Sequence, residues 1–412
     1  MIDQFFSHPK VLKRHRFGPL GSHIDSFAQL LMEQGYKAST AKHKIRIVAD
    51  VSRWLDQQGL RVNDLDETTL NEYLLYKRHR GSIFSIEPPT LQALLKHLRE
   101  IGVVADSVRI DCDCNRKRIE SSFAKYLAIQ RGLKQITIDT YLPIVSRFLS
   151  DQFGARPIVL DDLHPRDIVR FILRYTETFS VKRAQLIVCS LRSFFRFLYQ
   201  QGETAINLSP SALTVANWHL SELPKYLEPE QVERLLQSCN QDSLIGQRDY
   251  AILLLLARLG LRAGDVVHMT LDDIDWEAGE LIVRGKSDRQ EKLPLPQDVG
   301  EALVRYLRHG RPRCSSRRVF IRIKAPHKGF SSSAAICNIV RRALVRANLN
   351  PAFKGSHLLR HSLATQMLRG GASLAEIGEI LRHQRLNTTQ IYAKVDLTRL
   401  SVLAQPWLGG AI

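Results

Sequence analysis

Apolar residues recur at helical spacing from about His23 to Val104, leaving one face of each segment polar. Phe27, Leu30 and Leu31 share a face in the first segment. Ile45, Val48, Trp54 and Leu55 fall close to helical spacing in the next. Asn63-Asp64-Leu65-Asp66-Glu67-Thr68-Thr69-Leu70 reads as a helix start. The pattern then recurs. Ser26-Phe27-Ala28 is echoed by Ser122-Phe123-Ala124, Val51-Ser52-Arg53-Trp54-Leu55 by Val145-Ser146-Arg147-Phe148-Leu149, and Asp64-Leu65 by Asp162-Leu163, at offsets of 94–98. Kept order and spacing predict two copies of one small helical domain. The second ends in a basic, aromatic-rich helix holding Lys182, Arg183, Arg192, Phe194, Phe195, Arg196, Phe197 and Tyr199. Its aromatics are expected in the core, and its Arg and Lys side chains on phosphates.

From Glu203 to Glu228 the composition shifts to Asn207, Ser209, Pro210, Ser211 and Pro224, which reads as a linker. A new domain starts at Glu228-Pro229-Glu230-Gln231-Val232. Asp249 to Gly260 is a nearly continuous apolar helix and the expected centre of that domain. Glu280-Leu281-Ile282-Val283-Arg284 reads as a strand, Gly285-Lys286-Ser287-Asp288 as a turn, and Lys292-Leu293-Pro294-Leu295 as a returning edge strand that tolerates proline. Ser373-Leu374-Ala375-Glu376 is a capping box opening another helix, and Asn387-Thr388-Thr389 restarts a short helix bearing Tyr392. Residues 1–20 are basic and poorly patterned, like an arm. The fold expected is mainly α, with a small antiparallel β-sheet in the C-terminal domain. The division is 1–110 (an extra helical domain), 111–205 (a second helical domain), 206–227 (linker), 228–396 (C-terminal domain) and 397–412 (tail).

Charge adds a partner to this picture. The chain has 412 residues and a net charge of +18, and no Asp or Glu occurs between Ala302 and Ala375. The same stretch carries Arg317, Arg318, Arg341, Arg342, Arg346, Lys354, Arg360 and Arg369, among others. One-signed charge over a folded region predicts a polyanion, nucleic acid before an anionic membrane surface, since no amphipathic anchor or lipidation signal accompanies it. No apolar run is long enough to span a bilayer, and Met1 to Phe6 lacks the pattern of a signal peptide. Six scattered cysteines read as free thiols of a reducing cytoplasm.

The candidate chemistry centres on Lys354-Gly355-Ser356-His357-Leu358-Leu359-Arg360-His361. On a helix, His357, Arg360 and His361 share one face within a turn, near an N-terminus that favours anions. Ser356 is the expected N-cap, and Gly370-Gly371 the stop. Arginine can clamp two phosphate oxygens at once. Alone, the motif reads first as a solvated basic face.

Its companions decide the matter. Arg262 follows Gly260-Leu261, Lys286 sits in the hairpin turn, His357 and Arg360 are three apart, and His383 precedes Tyr392 by nine residues. This ordered set resembles the catalytic signature of the tyrosine recombinases (phage integrases, chromosome-dimer resolvases and related transposases), over about Glu228 to Trp407. The stretch Arg118 to Gly202 is similar to the family's SAM-like helical core-binding domain. Asp265 stands where many members carry Glu. The resemblance implies a tyrosine-recombinase catalytic fold that cuts and rejoins DNA through a 3′-phosphotyrosine. Tyr392 would be the nucleophile, Arg262 and Arg360 would stabilise charge on the phosphate, and Lys286 would protonate the leaving 5′ oxygen. His357 would assist at the tyrosine, His383 would hydrogen-bond the phosphate, and His361 would support. No cofactor or metal is implied.

The expected partners are double-stranded recombination sites, further copies of the chain in a DNA-bound tetramer, and other recombinases of the same mobile element. Expected DNA contacts are Lys182, Arg183, Arg192, Arg196, Arg317, Arg318, Arg341 and Arg342. The Leu397, Leu400, Leu403 stripe ahead of Trp407 would dock on a neighbouring subunit or pack on its own domain. The alternative function is a non-catalytic or partner-dependent DNA-binding subunit. A type IB topoisomerase, acting as a monomer, fits the tail and the duplicated domain less well.

Overall fold

The computed structural model describes residues 2–80, 84–105, 114–154, 156–176, 179–215, 224–285, 290–383 and 388–395. The chain divides into two compact units, Met1–Asp106 with Glu222–Ile412, and Ser107–Ser221. It is mostly helical, with one three-stranded antiparallel sheet among the described residues.

The first 105 residues build a core around Phe27, Ile45, Val48, Trp54, Leu55, Leu94 and Leu98. Its principal helices are Ile24–Glu33, Ala38–Gln58, Glu67–Arg80 and Glu87–Glu100, with a single-turn helix at Val62–Asp64. The basic start is no arm. Ile2, Phe5, Phe6 and Leu20 are buried in this core, and Pro9–His15 is helical. The apolar residues here are too few to show a period, and burial comes from long-range packing. This region meets the C-terminal part of its unit at one turn, where the His327 amide donates to the Gln34 carbonyl at 3.0 Å. Gly35, at φ +76°, lies so close to His327 that a Cβ would sit 2.1 Å from the ring.

The Ser107–Ser221 unit uses the same sequence of elements. Helices Cys114–Lys125, Gln135–Phe153, Pro165–Thr176 and Val181–Gln200 surround Phe123, Phe148, Phe171, Phe194 and Phe195, and a single-turn helix lies at Leu160–Asp162. The aromatic-rich helix buries Phe194, Phe195 and Phe197 and leaves Tyr199 exposed. Phe148 meets both Phe171 and Phe195 edge-on, at ring centroids of 5.2 and 5.4 Å.

From Pro224 onward the core is organised around the helix Leu244–Arg258, buried without a break from Ala251 to Ala257. Ser243 caps it by accepting from the Gly246 amide. Against it pack helices Pro229–Gln237, Gln297–Arg305, Ser333–Arg346 and His357–Arg369. The sheet is β1 (Ile274–Asp275), β2 (Glu280–Arg284) and β3 (Gln290–Pro294), in that order. β2 spans the residues its alternation predicts, with Leu281 and Val283 inward. The returning strand starts two residues earlier than expected, and Ile282 pairs with Lys292. The Ser373 capping box forms, with Glu376 accepting from the Ser373 amide at 2.7 Å. Ser356 precedes its helix but makes no capping bond; its hydroxyl lies 3.5 Å from Cys337 Sγ.

Candidate active site

Arg360 sits one turn into the helix His357–Arg369, on the face that also buries Ala364. It is 3% exposed. One of its terminal nitrogens donates to the Gly260 carbonyl and the other to the Leu381 carbonyl. Gly260 turns the chain at φ +58° just after the central helix, which brings Arg262 alongside. Arg262 opens the helix Ala263–His268, where its amide donates to Asp265 Oδ2 at 3.1 Å. Its Nη2 donates to the Arg382 carbonyl at 2.9 Å. The two guanidiniums, ninety-eight residues apart in sequence, are thus fixed by backbone carbonyls.

Tyr392 lies on the short helix Gln390–Val395 and is 1% exposed, in a small cluster with Ala364, Leu368, Ile377 and Leu381. Its hydroxyl is 2.8 Å from His361 Nδ1. The family resemblance puts His357 beside the tyrosine and His361 in support. In this geometry His361 makes the contact, and the His357 ring is one step away, 6.4 Å from that of His361. Both share a helix face by spacing, and the position of the Tyr392 turn selects between them. His383 Nδ1 is 2.8 Å from Thr389 Oγ1, which ties it to the segment that delivers Tyr392. Thr389 and Arg382 have no signal in the sequence beyond standing near Tyr392 and His383. Lys286 lies outside the described residues, in the connection between β2 and β3.

The electrostatics follow from crowding. Burial and the neighbouring Arg262 and Arg382 push Arg360 down to about 9, so it stays protonated at neutral pH but under strain. Burial, with Arg360, Arg262 and His361 nearby, lowers His383 to about 4 and leaves it neutral. Burial raises Tyr392 to about 12, against the pull of Arg360. A phenol so far from ionising keeps its hydrogen, and the direction of its bond with His361 Nδ1 follows the tautomer of that ring. An incoming anion would relieve the arginines, and no such charge lies among the described neighbours except Asp265 and, farther off, Glu291.

The residues expected on DNA are less uniform. Lys182, Arg183 and Arg196 are exposed, and Arg341 and Arg342 are exposed beside a cavity that Arg322 and Asn338 also line. Arg192 instead donates to the Ala212 carbonyl at 2.6 Å, Arg317 pairs with Asp272 through Nε at 2.8 Å, and Arg318 donates to the His268 carbonyl.

A helical fold that gathers an arginine pair, imidazoles and a tyrosine points to the proteins that transfer DNA phosphodiesters. Comparison with known proteins places it more closely. Residues 225–399 match the phage integrase family, and residues 121–202 match the phage integrase N-terminal SAM-like domain. A Sinorhizobium fredii chain named as an integrase/recombinase, y4rA, is 41% identical over 404 residues, 97% of this chain and 98% of its own length. Tyrosine recombinase XerD of Listeria innocua is 30% identical over 286 residues, 68% of this chain and 94% of its own. The structure of XerH site-specific recombinase bound to palindromic difH substrate shares the fold, with a TM-score of 0.56 at 22% identity over 71% of this chain and 85% of that one. The chain belongs to the tyrosine recombinase (phage integrase) family. It is a site-specific recombinase, an enzyme of the kind that cleaves and religates DNA.

Proposed function

We propose that the chain cuts and rejoins the recombination sites of a mobile element through a 3′-phosphotyrosine on Tyr392. The observation that carries the reading is the convergence of Arg262, Arg360, His361, His383 and Tyr392, drawn from four separate segments, around one position where arginines outnumber the nearby carboxylates. A phosphodiester gathers negative charge on its nonbridging oxygens as it is attacked, and two fixed guanidiniums supply stabilisation there at no reorganisation cost. The Tyr392 oxygen bonds to phosphorus and the 5′ oxygen departs. His361, in contact with the hydroxyl, and His357 beside it take the phenolic proton. Lys286 gives a proton to the 5′ oxygen, and His383, neutral, donates to the phosphate. The ester bond energy is kept in the phosphotyrosine, so resealing by the reverse step needs no nucleotide.

The mobile-element role rests on the full-length likeness to a chain named as an integrase/recombinase. The shared order of four helices and a single-turn helix supports reading residues 1–110 as a duplicate of the core-binding domain 111–205, ahead of the linker 206–227, the catalytic domain 228–396 and a tail 397–412. Residues 396–412 lie outside the described residues. The burial of Tyr392 also favours activity that depends on partners. A nucleophile 1% exposed and pushed up to about 12 is silent until its turn is displaced. Assembly on DNA as a tetramer, with copies of itself or with other recombinases of the element, would displace it. The place of action is the cytoplasm, on the nucleoid. A plasmid carrying two copies of the cognate site tests this: purified protein should exchange strands in EDTA without nucleotide, and a requirement for a divalent metal or a nucleotide would overturn the mechanism.

A further inference from the structure

Arg382 is the one arginine of this cluster without a role so far, and its surroundings are unusual. It is 8% exposed and adopts φ +54°, a left-handed conformation that side chains other than glycine and asparagine rarely take. A residue kept there is held by its surroundings. The chain supplies them. The Arg382 carbonyl accepts from Arg262 Nη2 at 2.9 Å. The Arg382 guanidinium donates through Nη2 to Asp265 Oδ2 at 2.8 Å. The same Asp265 oxygen accepts from the Arg262 amide at 3.1 Å. Side chain and backbone of both arginines therefore close a ring through one carboxylate, across 120 residues of sequence. Arg382 Nε is buried without a hydrogen bond and faces Glu291 Oε2 of β3 at 3.9 Å, on the strand that follows Lys286 in sequence.

The consequence is one of charge as well as geometry. Asp265 acts on Arg360 as an attracting charge and Arg382 as a repelling one, so the acid alone would quench part of the pair that must meet phosphate. We propose that Arg382 is a positioning residue for strand cleavage: it takes Asp265 as its own counter-ion and presents the carbonyl that fixes Arg262, leaving the Arg262–Arg360 pair oriented and at full charge for the phosphate. The proposal rests on the phosphotyrosine reading above.

The test compares single-turnover cleavage of a nicked duplex, its dependence on DNA concentration, and thermal stability, in Arg382→Gly, Arg382→Lys and Arg382→Gly/Asp265→Asn. Glycine accepts the left-handed backbone, so Arg382→Gly should melt at or above the wild-type temperature. Its half-saturating DNA concentration should stay within threefold, while the cleavage rate falls ~10- to 100-fold, the scale of a misplaced charge-stabilising donor. Adding Asp265→Asn removes the orphaned acid while keeping an acceptor for the Arg262 amide, and should restore about tenfold of that rate. Arg382→Lys should fall between wild type and Arg382→Gly. A purely structural ion pair would lower the melting temperature in step with the rate and gain nothing from the second substitution. That pattern, or cleavage by Arg382→Gly within threefold of wild type, overturns the proposal. If wild-type protein forms no covalent adduct while binding the duplex, the phosphotyrosine reading falls and takes the proposal with it, which the Arg382 variants alone cannot do.

Discussion

Replacing Arg360 by methionine should separate stability from function. The guanidinium is 3% exposed and held down to about 9 by burial and by two arginines. A guanidinium in water stays protonated beyond pH 12. At about 1.4 kcal/mol per pKa unit, carrying this charge costs the free protein ~4–5 kcal/mol. The sign follows from the direction. A base whose folded value is depressed imposes its penalty at every pH below about 9, and the penalty fades only as pH rises beyond that, so measurement at pH 7 sees it whole. Methionine fills similar length without charge but orphans the Gly260 and Leu381 carbonyls, ~1–3 kcal/mol each. The net for Arg360→Met lies between about 3 kcal/mol more stable and about 2 kcal/mol less stable than wild type. Urea unfolding at pH 7 reads it directly. Cleavage of a nicked duplex should meanwhile fall by at least ~10²-fold, since a donor to the phosphate is gone. A loss of more than ~4 kcal/mol with cleavage kept within tenfold would refute the reasoning, because Arg360 would then be a structural keystone and not a charge waiting for an anion.

Other outcomes follow from neighbouring contacts. Gly260→Ala places a Cβ 2.8 Å from Leu381 Cδ2 at φ +58°, so it should lower stability by ~1–3 kcal/mol in a thermal melt; an unchanged melt would count against the strained turn. His361→Phe leaves the buried Tyr392 hydroxyl without its partner, at ~1–3 kcal/mol, and adding Tyr392→Phe should recover most of that loss. Strict additivity of the two would mean that the contact carries no energy. His383 is lowered from 6.5 to about 4, so its unfolded form takes up a proton first. Its contribution is present in full above pH 6.5 and is lost as pH falls towards 4, and His383→Asn should flatten the melting profile over that range. Parallel profiles for the two proteins would sink the assignment.

Much of this architecture is legible in the sequence because helices and alternating strands carry their own period. β2 and the Ser373 capping box stand where residue types and spacing put them, and the central helix covers the apolar run but starts earlier, at Leu244, behind its Ser243 cap. β1, only two residues long, has no period to read. Ile2, Phe5 and Phe6 pack into a core that lies elsewhere in the chain, so composition alone suggests an arm. Ser356 has the chemistry of a cap, but its backbone is already helical at φ −60° and ψ −27°, which turns the hydroxyl away from the free amides. For the site, spacing puts His357 and His361 on one face but cannot choose between them, because the choice depends on where Gln390–Val395 comes to rest. Arg382 reads as one more basic residue until its backbone conformation and its ion pair with Asp265 are known.

The central claim is that Tyr392 attacks the phosphate and stays bound to it. Nicked duplexes tiled across the DNA flanking the gene, incubated with the protein and resolved under denaturing conditions, test it most directly. The account predicts a protein–DNA adduct joined through the 3′ phosphate, mapping by peptide mass to Tyr392 and absent in Tyr392→Phe. An adduct that persists in Tyr392→Phe, or one that maps to any of the other ten tyrosines, would contradict it.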